Sequence, residues 1–295
     1  MKFVSFVERG QERAGVLTGC DEAIVDLAHP AMGAALTAPP RMLDLIEAGL
    51  PGLVERLDAH GLAGEATLPC SAVSLRAPLP APRRIFGVAF NYRDALAERG
   101  MAPPANPVLF MKAPSTVIGT DAAIVLPPGI GGVTYEAELA AVIGTVAENV
   151  STRSALDHVA AYGCLNDISA SEIIKADGNF DRGKNFATFC PFGPFLASSD
   201  DIPDPHALKV SLQIDGRTLQ QGTTRDMLFG VAELISYLSH RQPLKPGDVI
   251  ATGTPAGVAV SHKPPAWLKP GTVVEMEVEG LGRLRNPVVE GPQDA

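Results

Sequence analysis

The chain has 295 residues and a formal net charge of −9 at pH 7. This length buries a sizeable core and fits one large domain, or one large and one small domain. The acidic balance, without a lysine and arginine cluster, argues against a nucleic-acid partner. No stretch approaches the ~20 apolar residues of a membrane helix. The four cysteines stand far apart and the first residues lack a signal-sequence pattern, so we expect a reduced, cytoplasmic protein.

The first 75 residues indicate a small unit of strands and helices. Strands are predicted at Lys2 to Val7, Ala14 to Leu17 and Ala23 to Leu27, and helices at Met42 to Ala48 and Leu53 to Ala59. Gly49 and Gly61 follow the two helical patterns, where glycine commonly ends a helix. A proline-rich connector at 77–82 disfavours helix. We therefore predict a small α/β N-terminal domain over 1–75 and a larger domain over 76–295.

The larger domain is predicted to be rich in strands separated by glycine and proline. Strands are predicted at Ile85 to Phe90, Ala123 to Leu126, Glu136 to Ile143, Lys209 to Ile214, Val249 to Ala251 and Thr272 to Val278, and helices at Ser154 to Ala161 and Thr224 to Ser239. Many short strands with few helices predict an α+β, β-rich fold built as a mixed sandwich or barrel.

Two acidic residues open the apolar strand predicted at Glu136 to Ile143. Side chains alternate between the faces of a strand, so Glu136 and Glu138 share one face. A third acid, Asp167, ends another apolar run. A hard divalent cation would offset the repulsion between such buried carboxylates. Alternatively, Glu136 is solvated and Asp167 caps a turn with its neighbouring serines.

Seven short motifs occur in the order found in one enzyme family. They are Phe90-Asn91-Tyr92 with Glu98; Phe110-Met111-Lys112-Ala113-Pro114-Ser115; Tyr135-Glu136-Ala137-Glu138-Leu139; Asn166-Asp167-Ile168-Ser169; Arg182-Gly183-Lys184-Asn185-Phe186; Gly247-Asp248 through Thr254-Pro255; and Val278-Glu279-Gly280-Leu281-Gly282. In these motifs the chain resembles the fumarylacetoacetate hydrolase family from about Ile85 to Val289. Residues 1–75 resemble the small N-terminal domain that many members carry.

The resemblance implies a mixed β-roll catalytic domain, usually in a homodimer. It implies Mg²⁺, or Mn²⁺ as an alternative, held by Glu136, Glu138 and Asp167. It further implies a small 2-oxo acid substrate and catalytic roles for Glu98 and Lys184. Substrate contacts are expected from Tyr92, Lys184 and Thr254.

The chain departs from the family pattern at the position of the water-activating base. Hydrolases of the family typically carry a histidine three residues before the glutamate at Glu98, and here Ala95 stands in its place. Ser171 and Ile174 replace an arginine and a glutamine found in many acylpyruvate hydrolases. His262 is an alternative base if folding brings it close, although an exposed loop position is the expectation.

Three functions follow from these observations. The first is Mg²⁺-dependent hydrolysis of a carbon–carbon bond in a 2,4-dioxo acid of the acylpyruvate or fumarylpyruvate type, through a metal-chelated enolate. The second is decarboxylation or isomerisation of a 2-oxo or 2-hydroxy-dienoic acid, such as oxaloacetate or an aromatic-catabolic intermediate, which Ala95 favours. The third is a non-catalytic ligand-binding descendant, against which the retained Glu98, Lys184 and carboxylates argue.

Overall fold

A computed structural model describes residues 1–18, 21–33, 41–62 and 64–292. The strands are β1 (Lys2–Glu8), β2 (Gln11–Thr18), β3 (Ala23–Asp26), β4 (Thr67–Pro69), β5 (Ser74–Leu75), β6 (Arg84–Ala89), β7 (Val108–Lys112), β8 (Val117–Ile118), β9 (Ile124–Leu126), β10 (Val133–Thr134), β11 (Ala137–Ile143), β12 (Val159–Asn166), β13 (Ser169–Ala170), β14 (Cys190–Ser198), β15 (Lys209–Ile214), β16 (Arg217–Thr223), β17 (Asp248–Ala251), β18 (Val273–Val278) and β19 (Arg283–Glu290). The α-helices are α1 (Met42–His60), α2 (Arg93–Glu98), α3 (Ser171–Asp177), α4 (Asp181–Lys184) and α5 (Val231–Ser239).

The strands form two main sheets. The larger sheet has the order β4-β3-β2-β1-β14-β12-β11-β17-β6-β7, with β5 on β1 and β8 on β14. Most of its pairs are antiparallel, whereas β17 and β6 run parallel, so the sheet is mixed. A five-stranded sheet follows the order β16-β15-β18-β19-β9, and β10 pairs with β13. The β-rich α+β fold class is confirmed.

Strand β11 lies at the centre of the molecule, and all seven of its residues are buried. Leu139, Ala141 and Ile143 on one face pack in a cluster shared with the five-stranded sheet. Ala140 and Val142 on the other face belong to a second cluster that includes the apolar face of α1. Burial on both faces explains why this segment is almost continuously apolar. A polar side chain at its end therefore enters an apolar environment.

The N-terminal elements agree closely with prediction. Helix α1 covers both predicted helices, and Gly49 breaks the helical conformation between them at φ 99°. Gly61 closes the helix at φ 72°, where its N–H donates to Leu57 O at 2.9 Å. Strand β1 pairs with β14, so the first 18 residues extend the large sheet. The domain division at residue 75 stays a prediction.

Two helix predictions in the larger domain need correction. The helix predicted at Ser154 to Ala161 is wrong: a single 3-10 turn at Ala155–His158 leads into β12. This short apolar run lies between β11 and β14, and periodicity alone does not separate a buried strand from a buried helix. The helix predicted from Thr224 begins only at Val231, where Glu233 accepts from the Gly230 N–H at 2.7 Å.

Among the residues that the structure describes, none of the helices has the length and apolarity needed to cross a membrane.

Candidate metal centre and active-site cavity

Strand pairing brings the three predicted carboxylates together. Ala137 of β11 pairs with Asn166 of β12, so the next positions outward are Glu136 and Asp167, and the Asp167 N–H donates to Glu136 O at 2.9 Å. Residues opposite each other across a sheet place their side chains side by side. Glu138 lies two residues along the same face of β11. One carboxylate oxygen from each of Glu136, Glu138 and Asp167 lies within 4.8 Å of the others.

Two lysines approach this carboxylate triad from other parts of the chain. Lys184, the last residue of α4, donates to Glu136 Oε2 at 2.8 Å and to Asp167 Oδ2 at 2.5 Å. Lys112, the last residue of β7, lies 2.7 Å from Asp167 Oδ1 as an ion pair. The Lys112 ammonium also donates to Lys184 O at 2.6 Å. Lys112 therefore links the Asp167 carboxylate to the backbone that carries Lys184.

The positive charges of Lys112 and Lys184 stabilise the ionised forms of the three carboxylates to different extents. Burial raises the pKa of Glu138 well above its ordinary value, and the charges of Asp167 and Glu136 add to the rise. Burial also raises the pKa of Glu136, although Lys184 opposes it. Burial alone would raise the pKa of Asp167, but Lys112 and Lys184 together lower it. The Glu138 carboxylate is thus the least compensated of the three, and among the described residues its hydrogen-bond donor is the Gly253 N–H at 2.8 Å.

The donor set fits a hard divalent cation. Carboxylate oxygens are the ligands that Mg²⁺ and Mn²⁺ prefer. Three such groups converge in an environment where two of the side chains are fully buried. Burial raises the pKa of Glu138, and a cation between the carboxylates would offset the repulsion that adds to this rise. The triad Glu136, Glu138 and Asp167 is the group that would hold it.

A cavity of about 480 Å³ opens beside the triad. Its volume lies within the usual range for small-molecule sites. The predicted site residues that line it are Glu98, Glu136, Lys184 and Thr254. The other lining residues are Val88, Ala89, Phe90, Ala95, Leu96, Arg99, Thr134, Ser169, Ser171, Glu172, Ile174, Lys175, Phe180, Val258, Val260 and Trp267. Four of the predicted site residues thus face one space. Tyr92 lies outside this lining, fully buried and with its hydroxyl unpaired among the described residues; its predicted role in substrate binding stays a prediction.

The Thr254 hydroxyl is held by the protein. It donates to Ala137 O at 3.0 Å and accepts from Gln220 Nε2 at 2.8 Å. Gln220 is buried, and its Oε1 accepts from the Ala137 N–H at 3.0 Å. The hydroxyl proton is therefore used in the hydrogen bond to Ala137 O, at the start of β11. The Thr254 N–H has no hydrogen-bond partner among the described residues, and the predicted substrate contact of Thr254 stays a prediction.

Helix α2 places Glu98 and Ala95 at the cavity. Glu98 Oε2 accepts from the Gly257 N–H at 3.2 Å, and Asp94 Oδ2 accepts from the Ala256 N–H at 3.1 Å. These two bonds attach α2 to the loop after β17. Ala95 faces the cavity, and no histidine is among the described residues that line it. His262 lies in a loop, as expected, but it is partly buried and not exposed, with its Nε2 2.9 Å from Gly257 O.

Sequence reasoning assigned no role to Lys112 or Gln220. The sequence did contain a signal for Lys112, which ends the apolar run Val108–Lys112. A lysine in such a position is rarely buried unless it is paired, so it could have been assigned to the site. Gln220 lies in a strand of ordinary polar composition, and nothing in that sequence indicates its contacts.

Comparison with known proteins decides the family. Residues 84–289 match the family description fumarylacetoacetate (FAA) hydrolase C-terminal. The chain belongs to the fumarylacetoacetate hydrolase family. The ordered motifs and the fold both agree with this membership. The resemblance predicted from the sequence is confirmed.

Relatives within the fumarylacetoacetate hydrolase family differ in reaction. A Burkholderia multivorans protein, provisionally named a hydrolase, is 41% identical over 288 residues, and the match covers 96% of each of the two chains. A Mycobacterium abscessus structure, provisionally named a 2-hydroxyhepta-2,4-diene-1,7-dioate isomerase, superposes with a TM-score of 0.82 at 31% identity. Maleylpyruvate hydrolase from Sphingobium sp. SYK-6, solved with manganese(II) and pyruvate, gives 0.79 at 29% identity. In both structures the match covers 99% of this chain and 100% of the other.

Proposed function

We propose that this protein is a divalent-metal-dependent hydrolase that cleaves a carbon–carbon bond of a 2,4-dioxo acid of the acylpyruvate or fumarylpyruvate type. The supporting observation is that Glu136 of the carboxylate triad, Lys184 and a separate carboxylate, Glu98, line one cavity. Mg²⁺ is the cation proposed, with Mn²⁺ as the alternative, and a homodimer in the cytoplasm remains our prediction for the assembled protein.

The residues of the chain divide the proposed chemistry between them. A metal ion on the triad would supply Lewis acidity at the 2-oxo group. The Lys184 ammonium lies 4.7 Å from the centre of the Phe110 ring, and we propose that it stabilises the negative charge that develops as the bond breaks. The backbone N–H of Thr254 would orient the substrate carboxylate. Water adds to the distal carbonyl, the bond between C3 and C4 breaks, and C3 then takes a proton.

Glu98 is the group proposed to move the proton. Its Oε2 is held by the Gly257 N–H, which leaves the other oxygen able to accept a proton from water and return one to C3. A general base must lie within hydrogen-bond reach of the proton it removes. Glu98 lines the cavity, whereas His262 does not, so His262 is a poorer candidate for the base.

A second function is favoured by one specific observation. Ala95 occupies the cavity face of α2 where hydrolases of the family typically carry histidine. Isomerisation or decarboxylation of a 2-oxo or 2-hydroxy-dienoic acid requires a stabilised enolate and a proton carrier but no activated water. Glu98 and Lys184 would suffice for that chemistry. This isomerase or decarboxylase is the alternative to the hydrolase.

A substrate panel with Mg²⁺ tests the proposed function directly. Acetylpyruvate, fumarylpyruvate, oxaloacetate and a 2-hydroxy-dienoic acid would be incubated with the enzyme. Release of a carboxylic acid together with pyruvate supports hydrolysis. Release of CO₂, or a change in ultraviolet absorbance without cleavage, supports the alternative. Failure of every compound to react, with and without Mg²⁺, would contradict both.

Replacing Ala95 with histidine separates the two functions further. A histidine at this position would face the cavity one helical turn before Glu98, and a positioned base contributes about 10²–10⁴-fold to a rate. We expect acetylpyruvate hydrolysis to rise by about 10²-fold over a measurable wild-type rate. Ala97→His is the matched control, because Ala97 is exposed on the same helix outside the cavity lining. Hydrolysis found only in Ala95→His would favour the isomerase or decarboxylase for the native enzyme.

A further inference from the structure

Strand β17 pairs with only part of β11. The pairing ends with Ala140 opposite Ala251, and beyond that pair the Thr252 N–H donates to Leu139 O at 3.1 Å. The chain then leaves the sheet at Gly253, whose φ of 93° is a left-handed conformation that favours glycine. In the part of the chain that the structure describes, no strand therefore covers this edge of β11 at its start, where the proposed metal ligands lie.

Two side chains take the place of a strand at Ala137. The Ala137 N–H donates to Gln220 Oε1 at 3.0 Å, and Ala137 O accepts from the Thr254 hydroxyl at 3.0 Å. These backbone groups belong to the two peptide units that join Glu136 to Glu138. Because each peptide unit is planar, holding both units fixes the spacing and the direction of the two carboxylates on their shared face.

The Gln220 amide fits its surroundings in one orientation. Its Nε2 donates to the Thr254 hydroxyl at 2.8 Å and to Pro255 O at 3.0 Å, while its oxygen accepts from the Ala137 N–H. An amide turned by half a rotation would place a donor against the Ala137 N–H. Gln220 is buried and belongs to β16, an edge strand of the five-stranded sheet. Its loss would therefore leave a buried backbone N–H without a partner.

We infer that Gln220 is a positioning residue for the metal centre, which holds the backbone between Glu136 and Glu138 so that both carboxylates reach one cation. This inference rests on the proposed function, because it assigns a cation to the carboxylate triad. Mg²⁺ requires a near-ideal octahedral set of oxygens at about 2.0–2.1 Å, whereas Ca²⁺ accepts a more variable set at about 2.3–2.6 Å. Displaced ligands should therefore weaken Mg²⁺ binding more than Ca²⁺ binding.

Gln220→Met tests the inference, because methionine keeps most of the volume of glutamine and makes none of its hydrogen bonds. Titration calorimetry on the full chain would give the Kd of Mg²⁺ and of Ca²⁺. Removing a group that supports metal ligands typically costs about 10–100-fold in affinity, so we expect the Mg²⁺ Kd to rise at least about tenfold. The Ca²⁺ Kd should change by less than about threefold.

Gln221→Met is the matched control. Gln221 is the next residue of β16, but it is exposed and lies outside the cavity lining. The same substitution there should leave both dissociation constants unchanged.

Thr254→Val keeps the inference testable if Gln220→Met does not fold. Valine has the shape of threonine and removes the hydrogen bond to Ala137 O, which holds the second of the two peptide units. We expect the same selective loss of Mg²⁺ affinity. A smaller folded fraction would instead weaken the apparent binding of both cations by the same factor.

The outcomes separate the positioning role from the proposed function. An unchanged Mg²⁺ Kd in Gln220→Met, or in Thr254→Val where the first variant does not fold, would overturn the role and leave the metal-dependent function standing. An equal loss of Mg²⁺ and Ca²⁺ affinity, or the same selective loss in Gln221→Met, would also overturn it. If the wild type binds neither cation, the proposed function fails and the positioning role fails with it.

Discussion

Glu138→Gln is expected to abolish metal binding and to lower kcat by about a thousandfold. A bound cation that stabilises developing charge contributes several kcal/mol to the transition state, and each 1.36 kcal/mol is tenfold in rate. Glutamine has the shape of glutamate and still accepts the Gly253 N–H, so the variant should fold. In the wild type, Mg²⁺ at about 100 times its Kd should stabilise the protein by about 2.7 kcal/mol. Thermal unfolding with and without Mg²⁺ measures this difference, which the variant should lose.

The metal-free form of the same variant should be more stable than the metal-free wild type at neutral pH. Burial and the neighbouring carboxylates raise the pKa of Glu138 in the folded state. The stability that this group contributes is therefore fully present below its unfolded pKa and is lost as the pH rises through the folded pKa. We expect a gain of about 1 kcal/mol or more at pH 8, since one pKa unit corresponds to 1.36 kcal/mol. The gain should shrink toward about pH 4.5. A Mg²⁺-dependent rise in stability that persists in Glu138→Gln would contradict the proposed site.

Lys112→Met is expected to destabilise the protein by about 3–5 kcal/mol. Lys112 and Asp167 form an ion pair in which both side chains have a relative exposure of 0%. Removing one partner of a buried pair leaves the other charge uncompensated, and that is the origin of the cost. Methionine keeps most of the volume of the lysine stem, so the loss reports the charge and not a cavity. Urea unfolding in chelator measures the change.

Two controls identify the cause of that loss. Lys209→Met removes a lysine whose side chain is 85% exposed and 3.9 Å from Glu279, and it should change stability by less than about 1 kcal/mol. Lys112→Met combined with Asp167→Asn removes both charges of the buried pair and should recover part of the loss. If the double variant is as unstable as the sum of the two single variants, packing and not charge explains the effect of Lys112.

Local patterns in the sequence predicted more of the fold than of the site. Gly49 and Gly61 divide and end α1 where the pattern placed them, because a glycine at positive φ is a local property of the chain. The segment Val159–Asn166 was assigned in part to a helix because its strand identity depends on β11 and β14, its partners on either side. The pattern of apolar residues in one segment does not show which distant segment it pairs with in a sheet.

The site shows the same division between local pattern and tertiary structure. By itself the sequence placed Glu136 and Glu138 on one face of a strand, since alternation has a period of two, and its ordered motifs determined the family. Only the tertiary structure decided that Asp167 lies beside Glu136, that Lys112 lies against Asp167 and that Gln220 binds the backbone of Ala137. These contacts depend on strand register and on helix placement, which are set by the packing of segments far apart in the chain. The charges that each buried carboxylate meets, and hence its pKa, could not be deduced before those segments were in place.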